Sequence, residues 1–218
     1  MLFYENGKNW IIEDQLNPAL VSEISNILEK NHNQLFKDKK GYSTTGKNAE
    51  QYWLINTRRK LQINDNKFYE FVEEYQNQIL SRVKRSGLLN KKSEDSISLE
   101  YKDSWTVISE EHSYHTIHHH NGHNYGVSTV LYINVPDTNI EDEPDNNIFF
   151  AMNCDQKLEF YVNQLPYITI NPEVGKLLIF PDWIPHGTYP QTKGIRQTFN
   201  IDFEYVIKKE KLKSIKYF

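Results

Sequence analysis

The chain has 218 residues, a net charge of −4, one cysteine, 38% hydrophobic residues and an aromatic set that includes 14 Tyr and 11 Phe. That length and aromatic content suit one domain with a sizeable core and exclude a disordered chain. The small net charge leaves no basic footprint for nucleic acid, and no window approaches the ~18 apolar residues of a membrane span.

A lone cysteine, Cys154, forms no intramolecular disulfide, which fits a reducing, cytoplasmic setting. The opening "MLFYENGKNWII" lacks the basic and continuous apolar regions of a signal peptide. Residues 17–31, "NPALVSEISNILEKN", place Leu20, Val21, Ile24 and Leu28 at helical spacing, with Asn17 as N-cap and Pro18 at the first helical position. Residues 65–85 place Phe68, Phe71, Val72, Tyr75, Ile79 and Val83 on one stripe, which predicts a second amphipathic helix, with Gly87 as its stop.

Beyond "NKKSED" the period changes to two. "SISLEYKDSWTVIS", "GVSTVLYINV", "NNIFFA", "KLEFYV", "YITI", "GKLLIFP" and "IRQTFNIDFEYVI" read as short strands separated by turn residues, which means a sandwich, barrel or jelly roll. The two helices are expected to cover one face of that β core. The acidic run 137–145 reads as a loop, and a lid over a site is one use for it. "KKEKLKSIK" near the C-terminus reads as a solvated basic tail or the face of a last helix. The expected organisation is one domain over 1–218. Residues 1–95 give a helical support, 96–207 the β core and 208–218 the tail.

Five of the eight histidines fall in "SYHTIHHHNGHNYG". His118 and His120 lie two apart at the end of a strand-like run, so in extended chain they share a side and form a ready chelate. The best third ligand is His186, just beyond the apolar strand of "GKLLIFPDWIPHGTYPQ", where an imidazole has no packing reason to stand. Arg196 and Thr198, in "GIRQTFNIDF", share a strand face. A buried guanidinium beside a hydroxyl forms a fork for an anionic carboxylate. His112 reads as exposed. His115, His119 and His123 read as residues that orient ligands or line a substrate mouth. Trp105 and Trp183 read as barrel packing.

The pattern His-x-His, a distal His, then Arg-x-Thr resembles the Fe(II)/2-oxoglutarate-dependent oxygenases, in the prolyl-hydroxylase-like branch. The likeness covers nearly the whole chain. "NWIIEDQLNPALVSEISNIL" looks like the family's opening strand and first helix, and "ISLEYKDSWTVISEEHSYHTIHHH" like the strands leading to the iron. "TINPEVGKLLIFPDWIPHGTYP" looks like the distal-His segment, and "RQTFNIDFE" like the closing strand. Tryptophan ahead of the His-x-His pair, followed by "STVLYI", resembles members found in marine phages and bacteria.

The resemblance implies a double-stranded β-helix, a jelly-roll or cupin-like barrel buttressed by the two helices. It implies a hydroxylase using Fe(II), 2-oxoglutarate and O2, with His118, His120 and His186 on the metal, and Arg196 and Thr198 on the cosubstrate tail. It also suggests Tyr132 as a hydrogen-bond donor to the cosubstrate. The substrate is a peptidyl side chain or a small metabolite, with no nucleic acid or membrane partner.

One departure stands out. The family's usual second ligand is a carboxylate, and His120 occupies that place. Three neutral imidazoles leave a divalent iron its full charge. The substitution also argues against halogenation, for which a small residue would be needed there. Two further readings follow: a cupin-like three-His dioxygenase that does not use 2-oxoglutarate, and a non-catalytic barrel kept for binding. A bulge would let His115 or His123 replace His118 or His120.

Overall fold

The computed structural model describes residues 1–6, 9–38, 48–88, 97–120, 126–137, 147–152 and 167–207. His123, Cys154, the expected strand at 157–162, nearly all of the acidic run and the basic tail lie outside the described residues.

Thirteen strands and two α-helices make up the described chain: β1 Leu2–Asn6, β2 Asn9–Gln15, α1 Pro18–Lys30, β3 Phe36–Lys37, β4 Ala49–Asn56, β5 Leu61–Gln62, α2 Asn66–Arg85, β6 Ile97–Ser109, β7 His115–His118, β8 Gly126–Asn134, β9 Ile148–Ala151, β10 Tyr167–Ile170, β11 Lys176–Pro181, β12 His186–Thr188 and β13 Arg196–Ile207. The major sheet runs β1-β2-β11-β8-β13-β6-β4-β3, with β5 on β4. The minor sheet runs β10-β9-β12-β7, and the pairings are antiparallel. This is the double-stranded β-helix that the sequence suggested.

Both helices begin as read. The Asn17 side chain accepts from the Ala19 N–H at 2.9 Å, and Asp65 caps α2 by accepting from Lys67 at 2.9 Å. Gly87 follows α2 at φ 77°, the left-handed position that favours glycine. The N-terminal stretch is more than a helical support. It also supplies β1 to β5, which extend the major sheet on both sides. The eight-residue β4, "AEQYWLIN", escaped notice because its polar and aromatic residues do not alternate cleanly.

Alternation sorts the major sheet into two faces. Ile12, Val127, Leu131, Leu177, Ile179, Phe199 and Ile201 pack with Ile24 and Leu28 of α1 and Phe68, Phe71 and Tyr75 of α2. Each such side chain contributes roughly 1.5–3 kcal/mol on burial. Phe199 sits edge-on to Phe68, Phe71 and Tyr75, and the Tyr75 hydroxyl donates to Thr129 Oγ1 at 3.2 Å. The opposite face presents Ile11, Tyr132, Leu178 and Phe180 to Ile148, Phe150 and Ile170 of the minor sheet. Helices therefore cover one face, and the second sheet closes the barrel on the other. Arg82 of α2 bonds Asp14 at 2.8 Å and the Gln15 carbonyl at 3.2 Å, which pins the helix to β2.

Candidate metal centre

His118 ends β7 and His186 begins β12. The two are direct cross-strand partners in the minor sheet. His120 lies two residues past β7, where its backbone N–H donates to the Asp182 carbonyl at 2.9 Å, tying it to the turn before His186. One ring nitrogen from each imidazole lies within 4.8 Å of the others. Ring centroids are 4.4 Å apart for His118 and His186, 5.2 Å for His120 and His186, and 5.5 Å for His118 and His120.

The tautomers follow from hydrogen bonding. His118 Nδ1 meets the Thr116 carbonyl at 2.8 Å and His186 Nδ1 meets the Ile184 carbonyl at 2.9 Å. A carbonyl only accepts, so each ring carries its proton on Nδ1 and keeps the Nε2 lone pair for another partner. His120 Nδ1 faces the Asp202 carboxylate at 2.9 and 3.1 Å and Ser128 Oγ at 2.9 Å, while Ser128 Oγ donates to Asp202 Oδ1 at 2.7 Å. Trp105 packs edge-on to His120, and Phe180 edge-on to His186, fixing both rings.

The electrostatics separate the three. Burial and the neighbouring imidazole of His120 push the His118 pKa down to about 4. Burial and the rings of His118 and His120 hold His186 well below the ordinary range. Burial would lower His120 as well, but the Asp202 carboxylate outweighs it and the group ends above its ordinary value. Asp182 is pushed up to about 6 by burial and by Asp202.

The same cleft, about 790 Å³, runs from the imidazoles to a second polar group. Arg196 starts β13 at 2% exposure, and its guanidinium donates to Ser109 Oγ at 3.4 Å and Thr188 Oγ1 at 3.3 Å. Thr198 pairs in register with Tyr132 of β8. Burial pushes the Tyr132 hydroxyl up to about 12, and its Oη has no hydrogen-bond partner among the described residues. His115, held neutral by burial and by His118, lines the cleft with an equally unpartnered Nε2. Buried polar atoms without partners are rare in native folds. Two in one cleft wall, beside a guanidinium, suit a polar guest.

All six residues expected at the site, His118, His120, His186, Arg196, Thr198 and Tyr132, therefore line one cleft. His115 lines it separately from the trio, and His112 is exposed, at φ 63°. Sequence reasoning missed Asp202 and Ser128 as a pair and gave no role to Asp182. A signal for Asp202 existed. From Arg196, alternation along β13 reaches Thr198, Asn200 and Asp202, and all four line the cleft. Gly187 was also missed. A Cβ there would stand 2.7 Å from the Phe149 ring and 2.8 Å from the His115 carbonyl, so only glycine lets β7 and β12 approach this closely.

A double-stranded β-helix with three imidazoles at one end of its cleft belongs to the jelly-roll class that includes the cupins. A narrower assignment comes from the sequence of the site-bearing segment. Residues 103–202, a segment that holds every site residue named above, match the family described as "Putative 2OG-Fe(II) oxygenase". The cofactors of that family are Fe(II), 2-oxoglutarate and O2. No curated protein matches the chain by sequence.

Among solved structures, a Pseudomonas putida prolyl-4-hydroxylase aligns with TM-score 0.56 and 12% identity, covering 89% of this chain and 91% of its own. A Trichoplax adhaerens prolyl hydroxylase, solved with a hypoxia inducible factor oxygen degradation domain peptide, aligns with TM-score 0.55 and 15% identity over 96% and 88%. HygX from Streptomyces hygroscopicus, solved with nickel and 2-oxoglutarate, aligns with TM-score 0.53 and 12% identity over 90% and 83%. At such identities the likeness is one of fold. No helix among the described residues is long and apolar enough to cross a membrane.

Proposed function

We propose that this protein is an Fe(II)- and 2-oxoglutarate-dependent dioxygenase that hydroxylates a peptidyl side chain or a small metabolite. The observation that supports it is the pairing, in one cleft, of three imidazoles within 4.8 Å with a buried guanidinium flanked by hydroxyls. His118, His120 and His186 would hold the metal through Nε2, since Nδ1 of each is already bonded. Fe(II), when bound, supplies O2 activation coupled to decarboxylation of 2-oxoglutarate to succinate and CO2.

The remaining steps belong to the chain. Arg196, steadied by Ser109 and Thr188, would take the distal carboxylate, with the Thr198 and Tyr132 hydroxyls as further donors. Buried Ile148 and Tyr132 line the cleft and limit water there. The outer cleft, lined by Trp53, Arg58, Arg59, Lys102 and Asp103, would receive the substrate.

A three-His dioxygenase without 2-oxoglutarate suits the ligand set equally well, but gives Arg196 and the orphan Tyr132 hydroxyl nothing to do. Anaerobic titration with Fe(II) and then 2-oxoglutarate separates the two. The proposed enzyme develops a weak visible charge-transfer band only when both are present. Fe(II) binding with no spectral or calorimetric response to 2-oxoglutarate would sink the proposal.

A further inference from the structure

We propose that Asp202 is a positioning residue that supplies, through His120, the negative charge missing from the three-imidazole ligand set. This rests on the metal-dependent reading above. His118 and His186 lean on neutral main-chain carbonyls, those of Thr116 and Ile184. His120 alone leans on an anion. Both Asp202 oxygens lie within 3.1 Å of its Nδ1, and Ser128 locks the carboxylate by donating to Oδ1 at 2.7 Å. Ser128 and Asp202 are register partners on β8 and β13, so two paired strands of the major sheet set this geometry. The Asp202 and His120 side chains are only 21% and 19% exposed, and among the described residues no Lys or Arg forms an ion pair with Asp202.

The chemical consequence concerns ligand strength. An imidazole whose Nδ1–H is held by a carboxylate is a better donor at Nε2 than one held by a carbonyl, and its orientation is fixed. The cleft thus carries its carboxylate one residue behind the metal position rather than on it. The structure explains in this way how a His can stand where the family places an acid without leaving a divalent cation wholly uncompensated. Two further carboxylates act on His120. Asp103 accepts instead from the Thr57 N–H and hydroxyl at 2.7 and 2.9 Å, and Asp182, whose Oδ1 has no hydrogen-bond partner among the described residues, makes no side-chain hydrogen bond to His120. The role therefore falls to Asp202.

The test is a double-mutant cycle read by metal affinity: calorimetric titration of Co(II), then anaerobic Fe(II), into wild type, Asp202→Asn, His120→Asp and the double variant. Asp202→Asn keeps an acceptor for Nδ1–H but removes the charge, and should weaken metal binding about 10- to 100-fold. In the His120→Asp background there is no Nδ1–H to hold, so the same change should cost nothing. Asp202→Glu should restore part of the affinity.

Equal losses in both backgrounds would show a bare charge acting at a distance and overturn the positioning role. No loss in wild type would overturn the inference while leaving the metal site intact. No metal binding by wild type would overturn the reading beneath it as well. If Asp202→Asn does not fold, judged by circular dichroism, Ser128→Ala replaces it. A smaller loss in the same direction is then expected, and unchanged affinity counts against the proposal.

Discussion

The two sheets of the barrel bring different kinds of residue to one cleft by different means. The major sheet is built of long strands, 13 residues in β6 and 12 in β13, and its cleft-facing groups follow strict alternation: Arg196, Thr198, Asn200 and Asp202 on one strand, Val130 and Tyr132 on the next. The minor sheet has strands of three or four residues, yet it carries His118 and His186. There the positions are set by one cross-strand pair, by carbonyls two residues upstream and by a glycine that lets the strands close. A long strand places a side chain by its period. A short one places it by its neighbours.

The comparison can be broken most sharply on the minor sheet. His186→Ala removes one of three donors, and metal affinity should fall by more than the about 100-fold at the top of the range for a supporting residue. Metal content of the purified variant checks this, and full stoichiometric metal would dissolve the site assignment. His118→Ala should behave alike.

On the major sheet, Arg196→Ala should spare the metal and cost the cosubstrate. One charge-assisted hydrogen bond is worth roughly 1.5–3 kcal/mol, which is about 10- to 150-fold in affinity. Calorimetric titration of 2-oxoglutarate into anaerobic Mn(II)-loaded protein measures it. Equal affinities would remove the division of labour between the sheets.

Gly187→Ala sharpens the contrast further. Its Cβ meets the Phe149 ring and the His115 carbonyl, so β7 and β12 must separate, with a stability cost of about 1–3 kcal/mol and weaker metal binding. Urea unfolding of the metal-free variant gives the first number. An unchanged midpoint would mean that the strands have slack.

The gentlest perturbation is acid, applied to metal-free protein. His118 titrates near 4 rather than 6.5, and His186 and His115 also lie far below the ordinary value. Between those values the unfolded chain takes up protons that these folded imidazoles refuse, so stability falls as pH drops below about 6.5. His120 runs the other way. Its raised pKa stabilises the fold at low pH and that contribution fades as pH rises. Asp182, pushed up to about 6, acts in the same sense as His120, so three groups oppose two, and the urea midpoint should be lower at pH 5 than at pH 7.5. A higher midpoint at pH 5 would refute the account.

The legibility of the sequence tracks the same contrast. β6, β8, β11 and β13 and both helices could be read because hydrophobic period determines them. β7 showed only as the end of a strand-like run before His120, and β12 not at all, since four and three residues carry no period. The imidazoles and Arg196 stood out as chemistry without a packing reason. Asp202 did not, because a carboxylate on a strand ordinarily reads as a solvent-facing residue. Only the register that sets it opposite Ser128 shows that it points at His120.

The direct pairing of His118 with His186 has one more consequence. Any ion shared by these two rings would act as a cross-link between strands that lie roughly 70 residues apart along the chain. By the loop-closure relation for such a loop, the tie removes about 4 kcal/mol of disorder from the unfolded chain if it persists there, as a disulfide does. A metal lets go on unfolding, so its contribution instead grows with its free concentration. The barrel would then be only as firmly closed as its supply of metal allows.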